Sequence, residues 1–255
     1  MTPRARAVVF GCGAAGFAAL LLWGMAGLPG FGRYPGPYGD VLQRVGVAQR
    51  HATDLVSAVN FDYRGFDTIG EEFILFAAAI GVLEILREIR GEVEGRPSDV
   101  APDRELRPMS EAVRLLATLL AGPIVLVGIW ILAHGHLTPG GGFQGGVILG
   151  TGPLMVYLGG EYLAITRADP LALNEVAEAV GAMGFVAVGI AGLVATGAFL
   201  TNVLPLGRPG NLDSSGTMPL ISLSIGIEVA GAILLLAEQF LHEAIVVRGG
   251  PGAPR

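Results

Sequence analysis

Lysine is missing from these 255 residues: all 16 basic side chains are arginine, set against 22 acidic ones. The net charge of −6 and the lack of a basic stripe leave nothing to hold a phosphate backbone, which excludes a nucleic-acid partner. Cysteine occurs once, at Cys12, so no disulfide can close within the chain and packing is the role left to it. Charge of either sign is scarce, at 15% of residues, where an ordinary soluble domain carries roughly 25%. A Ser/His/Asp set, a Walker loop and a thiolate cluster are all absent, which argues against an enzyme and implies no cofactor. The histidines are His51, His134, His136 and His242; without thiolates beside them they make no metal centre.

What the chain has instead is apolar length. Hydrophobic residues make up 52%, and Ala179 to Gly207 carries no charge at all. Runs near 20 apolar residues are long enough to cross a bilayer. The pattern predicts an all-α polytopic membrane protein with about six transmembrane helices. They fall at Ala7–Leu28, Ile69–Leu86, Leu115–Ala133 (kinked at Pro123), Phe143–Glu161, Val180–Val203 and Met218–Ala237. Arg4 and Arg6 ahead of the first run give it the look of a signal peptide, but its length marks a retained signal-anchor helix. Between the first two spans, Asp40–Asn60 has a helical period of apolar residues. It reads as a helix along the membrane surface or against a neighbouring protein chain, or as a short capped helix in a loop.

Arg87–Glu111 is a charged linker holding Pro97, Pro102 and Pro108. It divides the chain into an N-terminal membrane module at 1–95 (two spans plus the amphipathic helix), a linker at 96–110 and a four-helix domain at 111–245. With six spans and the N-terminus inside, Arg33, Arg44, Arg50, Arg64 and Arg208 face outward and the other 11 of 16 arginines face the cytoplasm. The positive-inside rule therefore places both termini in the cytoplasm of a multi-pass protein of the cell's inner (plasma) membrane.

Glycine, at 40 residues, is the second compositional signal. Pairs such as Gly146/Gly150 are spaced to let helix backbones approach closely. Gly11-Cys12-Gly13-Ala14-Ala15-Gly16 has the spacing of a dinucleotide fingerprint, but it sits inside an apolar run with no strand–helix alternation after it, so it reads as helix packing.

Five residues are candidates for an ion or proton path. Glu228 lies near the middle of the last span, where a carboxylate is costly to insert and rarely faces lipid. It is either a relay element or a hydrogen-bonded structural acid joining helices. Glu84 lies near the inner end of the second span, facing a hydrated cavity or pairing with Arg87 or Arg90. Glu71 and Glu72 stand at the outer end of that helix, where they either complement its N-terminal dipole or draw cations to a pathway mouth. His136, in the glycine-rich turn after the third span, can exchange protons near neutral pH or simply hold a tight turn together with Gln144. Of the smaller features, Asp62–Thr68 reads as a polar entry turn in which Arg64 pairs with Asp62 or Asp67, and Ser110 reads as a helix cap.

Two strings carry a family resemblance. His134–Gly146, with its Gly-His-x-x-Pro-Gly-Gly-Gly-Phe-Gln-Gly-Gly run, resembles the B-subunit family of multisubunit Na+/H+ antiporters of the Mrp type. Ser215–Ile221 followed by Gly226-Ile227-Glu228 resembles that family's last helix, so the likeness covers about residues 110–240. Asp62–Glu71 resembles the C-terminal extension of the antiporter's large A-type component, which has relatives in membrane-bound hydrogenases. The resemblance implies a subunit of a monovalent cation (Na+)/proton antiporter complex that contributes to or stabilises the ion path. Its partners would be other membrane subunits of that complex and lipid, with Na+ and H+ as the transported ions. The alternatives it implies are a sodium-translocating subunit of a hydrogenase-like redox complex and a scaffold without ion contact. Glu71, Glu72, Glu84, His136 and Glu228 are the positions onto which a polar path carries over.

Overall fold

The structure is a computed structural model that describes residues 3–28, 30, 32, 36–86, 110–158 and 170–246. All regular structure among them is helical. The chain divides into two units, residues 1–42 and 43–255. The first holds α1 (Pro3–Ala26) and the start of α2 (Pro37–Arg50). α1 is apolar on every face and exposed along its span, with Trp23 at 79% exposure. A helix apolar all round needs an apolar surround such as a bilayer.

In the second unit, α2 ends at Arg50 and the chain turns through His51, whose φ of 52° lies in the left-handed region. The single amphipathic helix expected over Asp40–Asn60 is therefore broken. Asp54 restarts it as α3 (Leu55–Ala58), accepting a hydrogen bond from the Ser57 N–H at 3.1 Å. A π-helical turn at Val59–Tyr63 follows, then α4 (Gly65–Leu86), α5 (Glu111–His134), α6 (Gly142–Leu158), α7 (Pro170–Thr196) and α8 (Met218–Val246). Ser110 caps α5 as expected, accepting from the Val113 N–H. The linker residues 87–109, and with them the expected domain boundary, lie outside the described residues.

α8 is the hub: it packs against α4, α5, α6 and α7. Its spanning stretch is 56% buried, against 22% for α5 and for α7. Met218, Ile221, Ile225 and Val229 line its inner face against Phe61, Ile69, Phe185 and Leu200. Lipid tails are as apolar as these side chains, so close fit rather than expulsion from water holds such helices together. The fit depends on backbone proximity. A Cβ at Gly128 of α5 would lie 2.8 Å from the Leu149 nitrogen of α6, and one at Gly146 of α6 would lie 2.8 Å from the Gly226 carbonyl of α8.

Among the described residues, four helices are long and apolar enough to cross a membrane: Ala7–Ala26, Glu111–His134, Leu173–Thr196 and Met218–Phe240. The chain is thus an all-α polytopic membrane protein. The two further spans expected from the sequence correspond to α4 and α6. α4 carries Asp67, Glu71, Glu72 and Glu84 within its 22 residues, and α6 is described over 17 residues only. α7 starts well before the expected Val180, because the helix extends through Asn174, Glu175 and Glu178 ahead of the uncharged run. It stops at Thr196, where Gly197 takes a φ of 80°, a common helix C-terminal conformation.

Candidate functional site

The loops at one end of the second unit form a polar cap. Asn202, after α7, ties three segments: its Nδ2 donates to Asp62 Oδ2 at 3.1 Å and to the Ser215 carbonyl at 3.0 Å, while its Oδ1 accepts from the Thr217 N–H at 3.0 Å. Asp62 also pairs with Arg50 at 2.7 Å, and the Arg50 guanidinium lies 4.8 Å over the Tyr63 ring. Arg64 pairs with Asp67, not with Asp62. The glycine-rich turn after α5 is clasped from the side by residues 53–57. The Asp54 N–H donates to the His136 carbonyl at 3.2 Å, Thr53 Oγ1 donates to the Leu137 carbonyl at 2.6 Å, and Ser57 Oγ reaches the Gly135 carbonyl. Gly140 and Gly141 take φ values of 148° and 116°, which lets the chain reverse into α6.

Beneath the cap, in the helical part, three carboxylates are buried on three helices: Glu72 of α4 (2% exposed), Glu178 of α7 (3%) and Glu228 of α8 (0%). The Glu72 and Glu228 carboxyl groups face each other closely enough to act on one another directly, and Glu178 lies within electrostatic reach of Glu228. Both oxygens of Glu72, both of Glu228 and Oε1 of Glu178 lack a hydrogen-bond donor. A carboxylate only accepts, so two facing carboxylates form no hydrogen bond until one of them carries a proton. A single added proton turns the Glu72–Glu228 contact into a hydrogen bond and removes one of two facing buried charges.

Glycines set this geometry. α7 and α8 touch backbone to backbone, and each glycine meets the other helix's acidic position. A Cβ at Gly181 of α7 would lie 2.5 Å from the Glu228 nitrogen, and one at Gly231 of α8 would lie 2.8 Å from the Glu178 nitrogen.

The candidate residues fare differently. Glu72 and Glu228 come together. Glu71 is exposed one residue away from buried Glu72, so the acidic pair divides its roles. α4 begins at Gly65, which places both acids beyond its first turn; capping does not explain them. Glu84 is exposed near the far end of α4. His136 is 1% exposed but belongs to the cap, with Nε2 3.4 Å from the Asn211 carbonyl. Burial, with a contribution from His134, lowers its pKa below the ordinary 6.5, against the opposing backbone groups of Asn211 and Leu212. Gln144 is exposed, so the turn is held by backbone and by residues 53–57, not by a His–Gln pair. Glu178 and Asn202 were not among the expected site residues. The signal for Glu178 lies in the spacing of Asn174, Glu178, Gly181, Phe185, Gly189 and Gly192, which puts all six on one helix face; all six are buried.

Residues 112–235 match the family described as a domain related to the MnhB subunit of Na+/H+ antiporter. A chain in the structure of the membrane-bound sulfane sulfur reductase, an archaeal respiratory membrane complex, is 30% identical with a TM-score of 0.68, over 92% of this chain and 98% of that one. This chain belongs to the MnhB-related family of membrane subunits. It is a non-catalytic membrane subunit of a multisubunit complex. A chain in the Mrp complex from Dietzia sp. is 25% identical with a TM-score of 0.65, and this MnhB-related chain aligns over all of its own length but only 27% of the Dietzia chain. A probable K(+)/H(+) antiporter protein of Rhizobium meliloti, an A/B-type subunit, is 25% identical over 216 residues, 76% of this chain and 21% of that protein. An uncharacterised protein of Methanocaldococcus jannaschii is 27% identical over 215 residues, covering 74% of this chain and 79% of that one.

Proposed function

We propose that this chain belongs to the membrane module of a redox-driven respiratory complex, where it helps form a monovalent cation/proton path of antiporter type. The observation that carries the reading is the correspondence with a chain of the archaeal respiratory complex, at 30% identity over 98% of that chain. The antiporter relatives correspond at 25% identity over 21% and 27% of their length. They support the second reading, a component of a Na+/H+ or K+/H+ antiporter. Under either reading the partners are other membrane subunits of the complex, the surrounding apolar phase is lipid, and the site is a multi-pass assembly in the inner (plasma) membrane. Six spans, with α4 and α6 as the two beyond the four longest apolar helices, and cytoplasmic termini complete this topology. The segment preceding α5 corresponds to the extension of the antiporter's large A-type component.

Within the path, Glu72 and Glu228 act as a pair. A proton on Glu72 passes to the Glu228 carboxylate, which leaves Glu72 ionised and Glu228 neutral, so the pair keeps one charge as the proton moves. Glu71 and Glu84 serve at exposed positions of α4, Glu71 beyond its first turn and Glu84 near its far end, and His136 serves in the cap above. The test is ion-driven proton exchange in membrane vesicles carrying the intact complex, with Glu228→Gln beside wild type and assembly followed on a native gel. Lost exchange in an assembled complex is the expected result; wild-type exchange would sink the relay role and leave a scaffold. Affinity purification separates the two complexes: redox-active subunits accompany the tagged chain under the first reading, and only antiporter components do so under the second.

A further inference from the structure

The path needs an exit from the Glu72–Glu228 pair, and among the described residues the buried acid Glu178 remains without a role. We infer that Glu178 is the third station of the relay, receiving the proton from Glu228 and carrying it most of a helical turn farther through the protein; the inference rests on the path reading above. Four observations place it there. Glu178 is 3% exposed and its Oε1 lacks a donor. It lies within electrostatic reach of Glu228, as Glu72 of α4 does. The reciprocal glycine contacts, Gly181 on the Glu228 backbone and Gly231 on the Glu178 backbone, hold the two helices at their closest approach. Those same contacts set Glu178 level with Gly231, three residues beyond Glu228 along α8, a displacement of about 4.5 Å along the helix axis.

The step balances. Glu228 gives up its O–H proton and becomes a carboxylate, Glu178 takes the proton and becomes neutral, and the cluster's total charge does not change. The groups bearing on Glu178 are Glu228 from α8 and Glu175 from its own helix, while Glu71 bears on Glu72 at the other end. Glu178 is followed by Ala179, which with Phe73, Phe76 and Met183 lines an apolar cleft between α4 and α7.

The experiment compares Glu178→Gln, Glu178→Asp and Glu228→Gln in the intact complex in vesicles, with assembly read on native gels and exchange read across pH. Glu178→Gln should cut exchange about tenfold or more in an assembled complex. Glu178→Asp, which keeps the acid but withdraws it by one methylene, should exchange slowly with a displaced pH profile. Wild-type exchange in assembled Glu178→Gln, with Glu228→Gln inactive, overturns the role of Glu178 and leaves the pair's path standing. Wild-type exchange in both removes the path itself. Should Glu178→Gln fail to assemble, Glu178→Asp decides: a wild-type rate and an unmoved pH profile overturn the inference.

Discussion

Gly181→Ala tests the geometry without touching a polar atom. The new Cβ would stand 2.5 Å from the Glu228 nitrogen, 2.6 Å from its Cβ and 2.6 Å from the Ser224 carbonyl oxygen. Comfortable contacts between heavy atoms are about 3.5–4.0 Å, so α7 and α8 must part by about 1 Å. The obstructing atoms are mostly backbone and cannot swing aside. Overpacking of this kind costs about 1–3 kcal/mol, and the better helix propensity of alanine returns at most about 1 kcal/mol. The net expectation is a loss of about 1–2 kcal/mol in the stability of the second unit within the complex. Gly13→Ala on α1 is the control, since nothing lies within 4 Å of its new methyl group. Thermal dissociation of the purified complex, read side by side for both variants, checks the magnitude. Exchange should fall as well, because separating Glu178 from Glu228 lengthens the transfer. A Gly181→Ala complex as stable as Gly13→Ala would refute the backbone contact and the arrangement of carboxylates built on it.

Asn202→Ala should destabilise the cap by about 1–3 kcal/mol, since it strips partners from Asp62, the Ser215 carbonyl and the Thr217 N–H at once; limited proteolysis of the 203–216 loop reads the loss. His136 has a folded-state pKa below its ordinary 6.5, so the unfolded chain takes up more protons as pH falls below that value. The stabilisation is complete above about 6.5 and drains away as pH falls toward the lowered value. Hydrogen exchange at the Asp54 amide, which donates to the His136 carbonyl, should therefore quicken on acidification after correction for intrinsic rates, and His136→Leu should abolish that dependence. Ser110→Ala should cost about 1 kcal/mol of α5 stability by removing the acceptor of the Val113 N–H, measured by exchange in the first turn of α5.

Membrane character and the helices α1, α5 and α8 were legible in the sequence, because apolar length and the scarcity of charge are properties of a run of residues. The burial of Glu228 was legible for the same reason: an acid in mid-span must turn away from lipid. So was the close approach of helices around Gly146, from the spacing of small residues. What the acid turns toward was not legible, because that depends on which faces of α4, α7 and α8 meet. Glu71 and Glu72 look alike in the sequence, yet one helical step of about 100° exposes the first and buries the second. Glu178 is hidden in the sequence because the uncharged run begins just after it, while the helix that carries it begins earlier and keeps one buried face from Asn174 to Gly192. The break at His51 and the joints made by Asn202 likewise arise from partners far along the chain, Gly207 and Ser215 for His51 and Asp62 for Asn202. Local pattern settled what lies in an apolar phase. Only the packing of helices distant in sequence decided which buried acids face one another, since a proton can pass only between groups that the fold brings within reach.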